Sequence, residues 1–169
     1  HRQRTERKKG RGRPQATVVT GYLIVDDSVN LKVKGRKMKG LGRHYSTTAG
    51  QVVTGHCLFS GLYVLLGRRC PLQPRLYRQK AVCEQEGVPF QSKIDLAVQQ
   101  IETFEPVPGT QTHVLADSWY HCKRVRKAAT QRGWHFSGGM KRNRIMRLIA
   151  EDGSRKWIKL SDYLARLGP

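Results

Sequence analysis

The chain has 169 residues, 32 of them Lys or Arg and 12 Asp or Glu, for a net charge of +20. That length holds one domain, or one domain with an arm. The imbalance excludes an ordinary acidic cytosolic enzyme and points to a polyanion, because neutralised phosphates release their counterions. No run of ~18 apolar residues occurs, so no membrane span is expected. The basic start has no apolar region behind it, so no secretory signal is expected either. The chain begins with His1 rather than Met, which reads as a processed, trimmed or partial protein.

Residues 1–16 read as a basic flexible arm, with seven Lys/Arg and one Glu in the first 14. Residues 17–169 form the folded body. Val18 to Val25 is β-branched and aromatic, a buried strand ending at Asp26-Asp27-Ser28. After a Lys/Gly-rich connection, Gly42–Thr47 and Gln51–Leu66 read as a hairpin, and Pro71 and Pro74 close that section. Ser92 with Asp95 three residues on predicts a capped helix start, with Ile94, Val98 and Ile101 on one face and Pro106 and Pro108 as its stop. His113–Ala116 is a short strand ending at Asp117. A helix follows over Trp119–Arg132, with Cys122, Val125 and Ala129 inward and Gly133 as its stop. Trp134–Met140 is a strand, Arg144–Ala150 and Arg155–Leu160 a hairpin turning at Asp152-Gly153, and Ser161–Leu167 a final helix. Hairpins first and helix crossovers later predict a mixed α/β sheet with flanking helices, antiparallel and then parallel.

The four cysteines have no Cys-x-x-Cys spacing and no His at zinc-ligand distance, so they read as reduced thiols of an intracellular protein. The acids are more informative. From Ser28 to Cys83 there is none, against 11 Lys/Arg; from Ser118 to Ala150 there is none, against nine. Each block follows an apolar strand that ends in Asp. A carboxylate at a buried strand end needs a partner, because desolvation disfavours it. For Asp117 the simplest partner is the N-terminus of the next helix; for Asp26-Asp27 it is a turn. The sharper alternative sets Asp26 or Asp27 beside Asp117 on adjacent parallel strands, a pair suited to Mg²⁺, or Mn²⁺ in its place, and to phosphodiester chemistry. Alternation along a strand allows only one of Asp26 and Asp27 to point that way. Asp26, placed like Asp117 directly after the apolar run, is narrowly favoured. The remaining acids gather at Glu84, Glu86, Asp95, Glu102 and Glu105, with Lys93 the only base between them, a face expected to look away from the polyanion.

Several strings occur in a shared order: Leu23–Asp27 then Ser28, Gly42-Arg43-His44-Tyr45, Gln51 to Gly55, Arg75-Leu76-Tyr77-Arg78, Lys93-Ile94-Asp95, Val114–Tyr120 and Lys141-Arg142-Asn143-Arg144. With the 91 positions from Asp26 to Asp117, they resemble the catalytic domain of bacterial insertion-sequence transposases of the Asp-Asp-Glu type. The resemblance implies an RNase H-like five-stranded mixed sheet, with Asp26 (or Asp27) and Asp117 as the first two metal carboxylates. It implies double-stranded DNA at transposon ends as substrate, a homodimer in the transposition complex, and a bacterial, nucleoid-associated cytoplasmic location. The family's Glu lies on a helix beyond the segment matched. Glu151 and Asp152 sit too early, in a turn, and Asp162 reads as a helix cap, so the chain is expected to stop short of the Glu helix and to be inactive alone.

Further DNA contacts are expected at Arg43, His44, Trp119, Lys141, Arg142 and Arg144, against the plainer readings of surface pairs, helix-start packing and solvated charge. His44 and Tyr45 are expected on a strand beside the first Asp strand, and Trp119 and Tyr120 are candidates to stack on an unpaired base. The competing function classes are a non-catalytic nucleic-acid-binding remnant and another RNase H-like nuclease acting on RNA.

Overall fold

The computed structural model describes residues 18–35, 37–150 and 152–167; the expected basic arm lies outside them, as does Glu151. The first strand, β1, spans Thr20–Leu31 and so runs six residues past Val25. It is carried on because β3 (Gln51–Leu65) pairs with it antiparallel along its length, from Gly21↔Leu65 to Leu31↔Gly55. Asp26 and Asp27 therefore lie inside a strand, not at its end. The edge strand β2 (Gly42–Ser46) pairs with β3. His44 and Tyr45 are thus one strand further from β1 than expected, because β3 takes the place beside it.

Two short strands, β4 (Arg68–Pro71) and β5 (Arg75–Tyr77), also pair with β3 and were not expected around Pro71 and Pro74. Neither was the short helix α1 (Lys80–Glu86), which has no side-chain cap at Gln79. Helix α2 (Lys93–Thr103) begins with the expected box, in which the Ser92 Oγ accepts from the Asp95 N–H and the Asp95 carboxylate from the Ser92 N–H. Strand β6 (Gln111–Ala116) then lies parallel to β1, helix α3 (Lys123–Gln131) crosses over, and β7 (His135–Gly138) lies parallel to β6. The hydrogen-bonded path is β2-β3-β1-β6-β7, the mixed antiparallel-then-parallel sheet of an RNase H-like fold. The hairpin β8 (Ile145–Ile149) and β9 (Arg155–Lys159) forms its own two-stranded sheet, followed by α4 (Leu160–Leu167). Asp162 lies in the first turn of α4 rather than at its cap.

One face of the sheet carries the core. Leu23, Val25, Phe59 and Val114 point from the strands at Ile101, Val125 and Ala129 of α2 and α3, all at 1% exposure or less. The alternation that buries Leu23 and Val25 turns Ile24 and Asp26 to the opposite face and returns Asp27 to the core side. α3 starts four residues later than expected. The Asp117 Oδ1 accepts the Trp119 N–H at 2.9 Å and the Tyr120 N–H at 3.3 Å, closing a turn before the helix, and Cys122 is still extended at φ −128°.

Candidate active site

In the parallel register Val25 lies beside Ala116. The residue after each is an aspartate: Asp26 continues β1, and Asp117 directly follows the end of β6. Adjacent strands are about 5 Å apart, and Asp26 and Asp117 continue the same face as Ile24 and Leu115. Both line one cleft of ≈ 670 Å³, shared with Arg43, His44, Lys93 and Trp119. Among the described residues the Asp26 Oδ1 accepts only the neighbouring Asp27 N–H, at 2.8 Å. Partial burial pushes the Asp26 carboxyl above its ordinary value, against that backbone bond, and the Asp117 and Asp27 carboxylates push it further the same way. Among the described residues neither Asp26 nor Asp117 has an ion-pair partner.

Asp27 is held differently. Its Oδ2 accepts from the Lys93 Nζ at 2.6 Å and from the Cys57 thiol at 3.3 Å, and its Oδ1 accepts from the Tyr120 hydroxyl. Burial raises its carboxyl, but the Lys93 and Tyr120 bonds outweigh this and hold it below the ordinary range. The same bonds act on the partners. Burial would lower the Lys93 ammonium, yet Asp27 keeps it raised; burial, then Asp27, pushes the Tyr120 hydroxyl well up and the Cys57 thiol up to about 11. Asp27 is thereby the internal counter-ion that pins the start of α2 and the segment after Asp117 to β1.

The other expected residues divide. Arg43 is exposed on the cleft wall, its backbone held by the Gln79 amide, which donates to the Arg43 carbonyl at 2.9 Å. His44 is 6% exposed and packs edge-on to Tyr77, and its buried Nε2 has no hydrogen-bond partner among the described residues. Burial and the Lys93 charge lower its imidazole, which keeps it neutral near pH 7. Trp119 is 57% exposed rather than packed, with the Lys141 ammonium 4.9 Å and the Lys93 ammonium 5.9 Å from its ring centroid. Arg142 and Arg144 stand away from the cleft at the base of the β8–β9 hairpin, where the Arg144 Nη2 donates to the His121 carbonyl at 2.9 Å. The acidic residues expected to face away from a polyanion are largely paired: Glu86 with Arg78, Asp95 with Arg124 and Glu105 with Arg132. Lys93 and Cys57 were missed, and Tyr120, expected to stack on a base, is instead fully buried with its hydroxyl on Asp27. The one available signal was Lys93, the lone base among those acids.

A side-by-side carboxylate pair without a basic partner, on a strongly cationic protein, suits a hard divalent cation with oxygen ligands. Asp26 and Asp117 have the chemistry to hold one. Among the described residues no group of three or more His, Cys, Asp or Glu is arranged as a metal site. The family model of the DDE superfamily endonucleases matches residues 6–156. The chain belongs to that superfamily. No curated protein matches it. Membership in the DDE superfamily carries a transposase- or nuclease-like function on DNA, a class that generally uses divalent metal, and it agrees with the mixed sheet described above. Among the described residues no helix is long and apolar enough to cross a membrane.

Proposed function

We propose that this DDE superfamily member cuts and joins DNA phosphodiesters at the ends of an insertion sequence in a bacterial cell. The observation that carries the reading is the parallel register of β1 and β6, which sets Asp26 and Asp117 at equivalent positions on one face. Asp26, not Asp27, is the first metal carboxylate in this reading, since both oxygens of Asp27 are spent on Lys93, Cys57 and Tyr120. Mg²⁺ or Mn²⁺ held by Asp26 and Asp117 would supply charge neutralisation at the attacked phosphate and a lowered pKa for the attacking water or 3′-hydroxyl.

The protein's own groups do the rest. Lys93 fixes Asp27 and, through it, the strand that presents Asp26. Asp117 serves twice: its Oδ1 caps the turn through Trp119 and Tyr120, while its Oδ2, which takes no hydrogen bond among the described residues, remains for a cation. Arg43, exposed on the cleft wall, is available to strand phosphates, whereas the buried Nε2 of His44 is not; Trp119, exposed beside the Lys93 and Lys141 ammonium groups, offers its ring to an unpaired base. We further propose that a third acidic ligand is needed beyond this pair and that the described residues alone carry out little strand transfer. Transposition in this reading uses a homodimer on paired transposon ends.

The test is nicking of supercoiled plasmid in Mg²⁺ or Mn²⁺, with Asp26→Asn, Asp27→Asn and Asp117→Asn compared. Asp26→Asn and Asp117→Asn should remove whatever metal-dependent nicking the chain shows. Nicking that survives Asp117→Asn excludes the mechanism.

A further inference from the structure

The β8–β9 hairpin carries a face that the cleft chemistry does not use. Its register pairs Ile145 with Lys159, Arg147 with Trp157 and Ile149 with Arg155. Alternation sends these six side chains to one side, and all six are exposed. Met146, Leu148 and the buried Ile158 take the other side. Trp157 is 67% exposed, flanked by Ile145 and Ile149 at 62% and 64%. Three large apolar side chains exposed side by side on one small ribbon, rather than scattered singly, point to an interaction site.

Charge decides the occupant. From Lys141 to Lys159 the sequence has seven Lys/Arg against two acids, Glu151 and Asp152, and the Asp152 Oδ1 is used by the Ser154 N–H in the turn. A protein partner would have to desolvate those cations, whereas a polyanion neutralises them. The side chains are also pre-arranged. The Arg147 guanidinium lies 5.9 Å from the Trp157 ring centroid, and Arg155 and Lys159 stand two residues to either side of Trp157, roughly 7 Å along the strand. A two-stranded ribbon of this kind fits a duplex groove. Its base is fixed: the Leu160 N–H donates to the Arg144 carbonyl at 2.8 Å, the Ser161 N–H to the Arg142 carbonyl at 2.9 Å, and Arg144 bonds His121, four residues past Asp117.

We propose that the exposed face of the β8–β9 hairpin is a duplex-DNA binding surface separate from the cleft. Arg147, Arg155 and Lys159 meet phosphates, and Trp157 with its two isoleucines lies against sugars and base edges. This rests on the reading of the chain as a DNA-acting enzyme and adds a second attachment that steers the duplex toward Asp117.

The experiment is fluorescence anisotropy of the full chain with a labelled duplex of about 30 base pairs and arbitrary sequence, over a salt series. Removing one phosphate-neutralising cation lowers the log–log salt slope by about 0.9. Arg155→Gln with Lys159→Gln should therefore lower the slope by about 1.8 and weaken binding roughly 30-fold at ~0.15 M salt. Reversing Arg147, Arg155 and Lys159 to Glu should cost roughly 10²-fold or more, with an unchanged circular dichroism spectrum and thermal transition. If the parent chain does not bind duplex at all, the DNA reading falls and the hairpin with it. If the parent binds and both hairpin variants keep its affinity and slope, the hairpin assignment alone is overturned. A variant that changes only the sedimentation of the free protein reassigns the ribbon to self-association and overturns it equally.

Discussion

Replacing Lys93 by Met isolates the ion pair that holds the candidate site together. The change removes the 2.6 Å bond to the Asp27 Oδ2 and leaves that carboxylate with a tyrosine hydroxyl and a weak thiol donor. Breaking a buried pair costs about 3–5 kcal/mol, while an exposed pair is worth ~0–1. Here the two side chains are 22% and 15% exposed, nearer the buried limit, and Asp27 keeps its Tyr120 bond. The expected loss is about 2–3 kcal/mol, or a Tm lowered by roughly 5–10 °C for a chain of this size. The pH dependence carries the signature. The folded Asp27 carboxyl lies below its ordinary 3.8, so its contribution is present above 3.8 and lost as pH falls through the depressed value. The folded Lys93 ammonium lies above its ordinary 10.5, so its contribution is present below 10.5 and lost as pH rises through the raised value. The gap between parent and Lys93→Met should be widest between these limits and close on acidification, measured by urea unfolding at pH 7 and below pH 3. Adding Asp27→Asn should recover most of the loss by removing the stranded charge. A loss under about 0.5 kcal/mol would place the pair among the exposed kind; a loss equal at both pH values would equally refute the reasoning.

Three further outcomes follow from the same geometry, and a fourth from thiol burial. Mg²⁺ or Mn²⁺ should raise the Tm of the parent chain and of Asp27→Asn with Lys93→Met, but not of Asp117→Asn, as read by thermal shift against metal concentration. In metal-free buffer, Asp117→Asn should lower the titration midpoint of the Asp26 carboxyl, followed by carboxyl NMR, because one of the charges raising it is gone. Gly55→Ala should destabilise by about 1–3 kcal/mol in urea unfolding, since its Cβ would run into the Asn30 backbone carbonyl and force β1 away from β3. Among the thiols, an aromatic disulfide reagent should titrate exposed Cys70 well before Cys57, which is buried and has a thiol pKa of about 11.

Much of the architecture was legible because it rests on local signals. The Ser92/Asp95 capping box, the glycine stop at Gly133 (φ +69°) and the β-branched run of β1 each declare themselves within a few residues. The hairpin at Asp152-Gly153 belongs with them. What failed locally was decided by neighbours. β1 runs on through Asp26 and Asp27 because β3 is 15 residues long and pairs with it throughout. α3 starts late because the Asp117 carboxylate takes the amides ahead of it. α1, β4 and β5 are too short to leave a periodic trace.

The sequence by itself determined the strong positive charge, the two acid-free basic blocks, the order of hairpins before crossovers, and two aspartates placed after similar apolar runs. Tertiary structure alone decided which aspartate turns where. Strand alternation makes Asp26 and Asp27 opposites, but only the packing of α2 and α3 on one face of the sheet fixes which side is interior. That packing brings Lys93, 66 residues away in the chain, onto Asp27 and leaves Asp26 beside Asp117. Burial selects the carboxylate that can find a counter-charge inside the protein, and its neighbour is left facing the cleft.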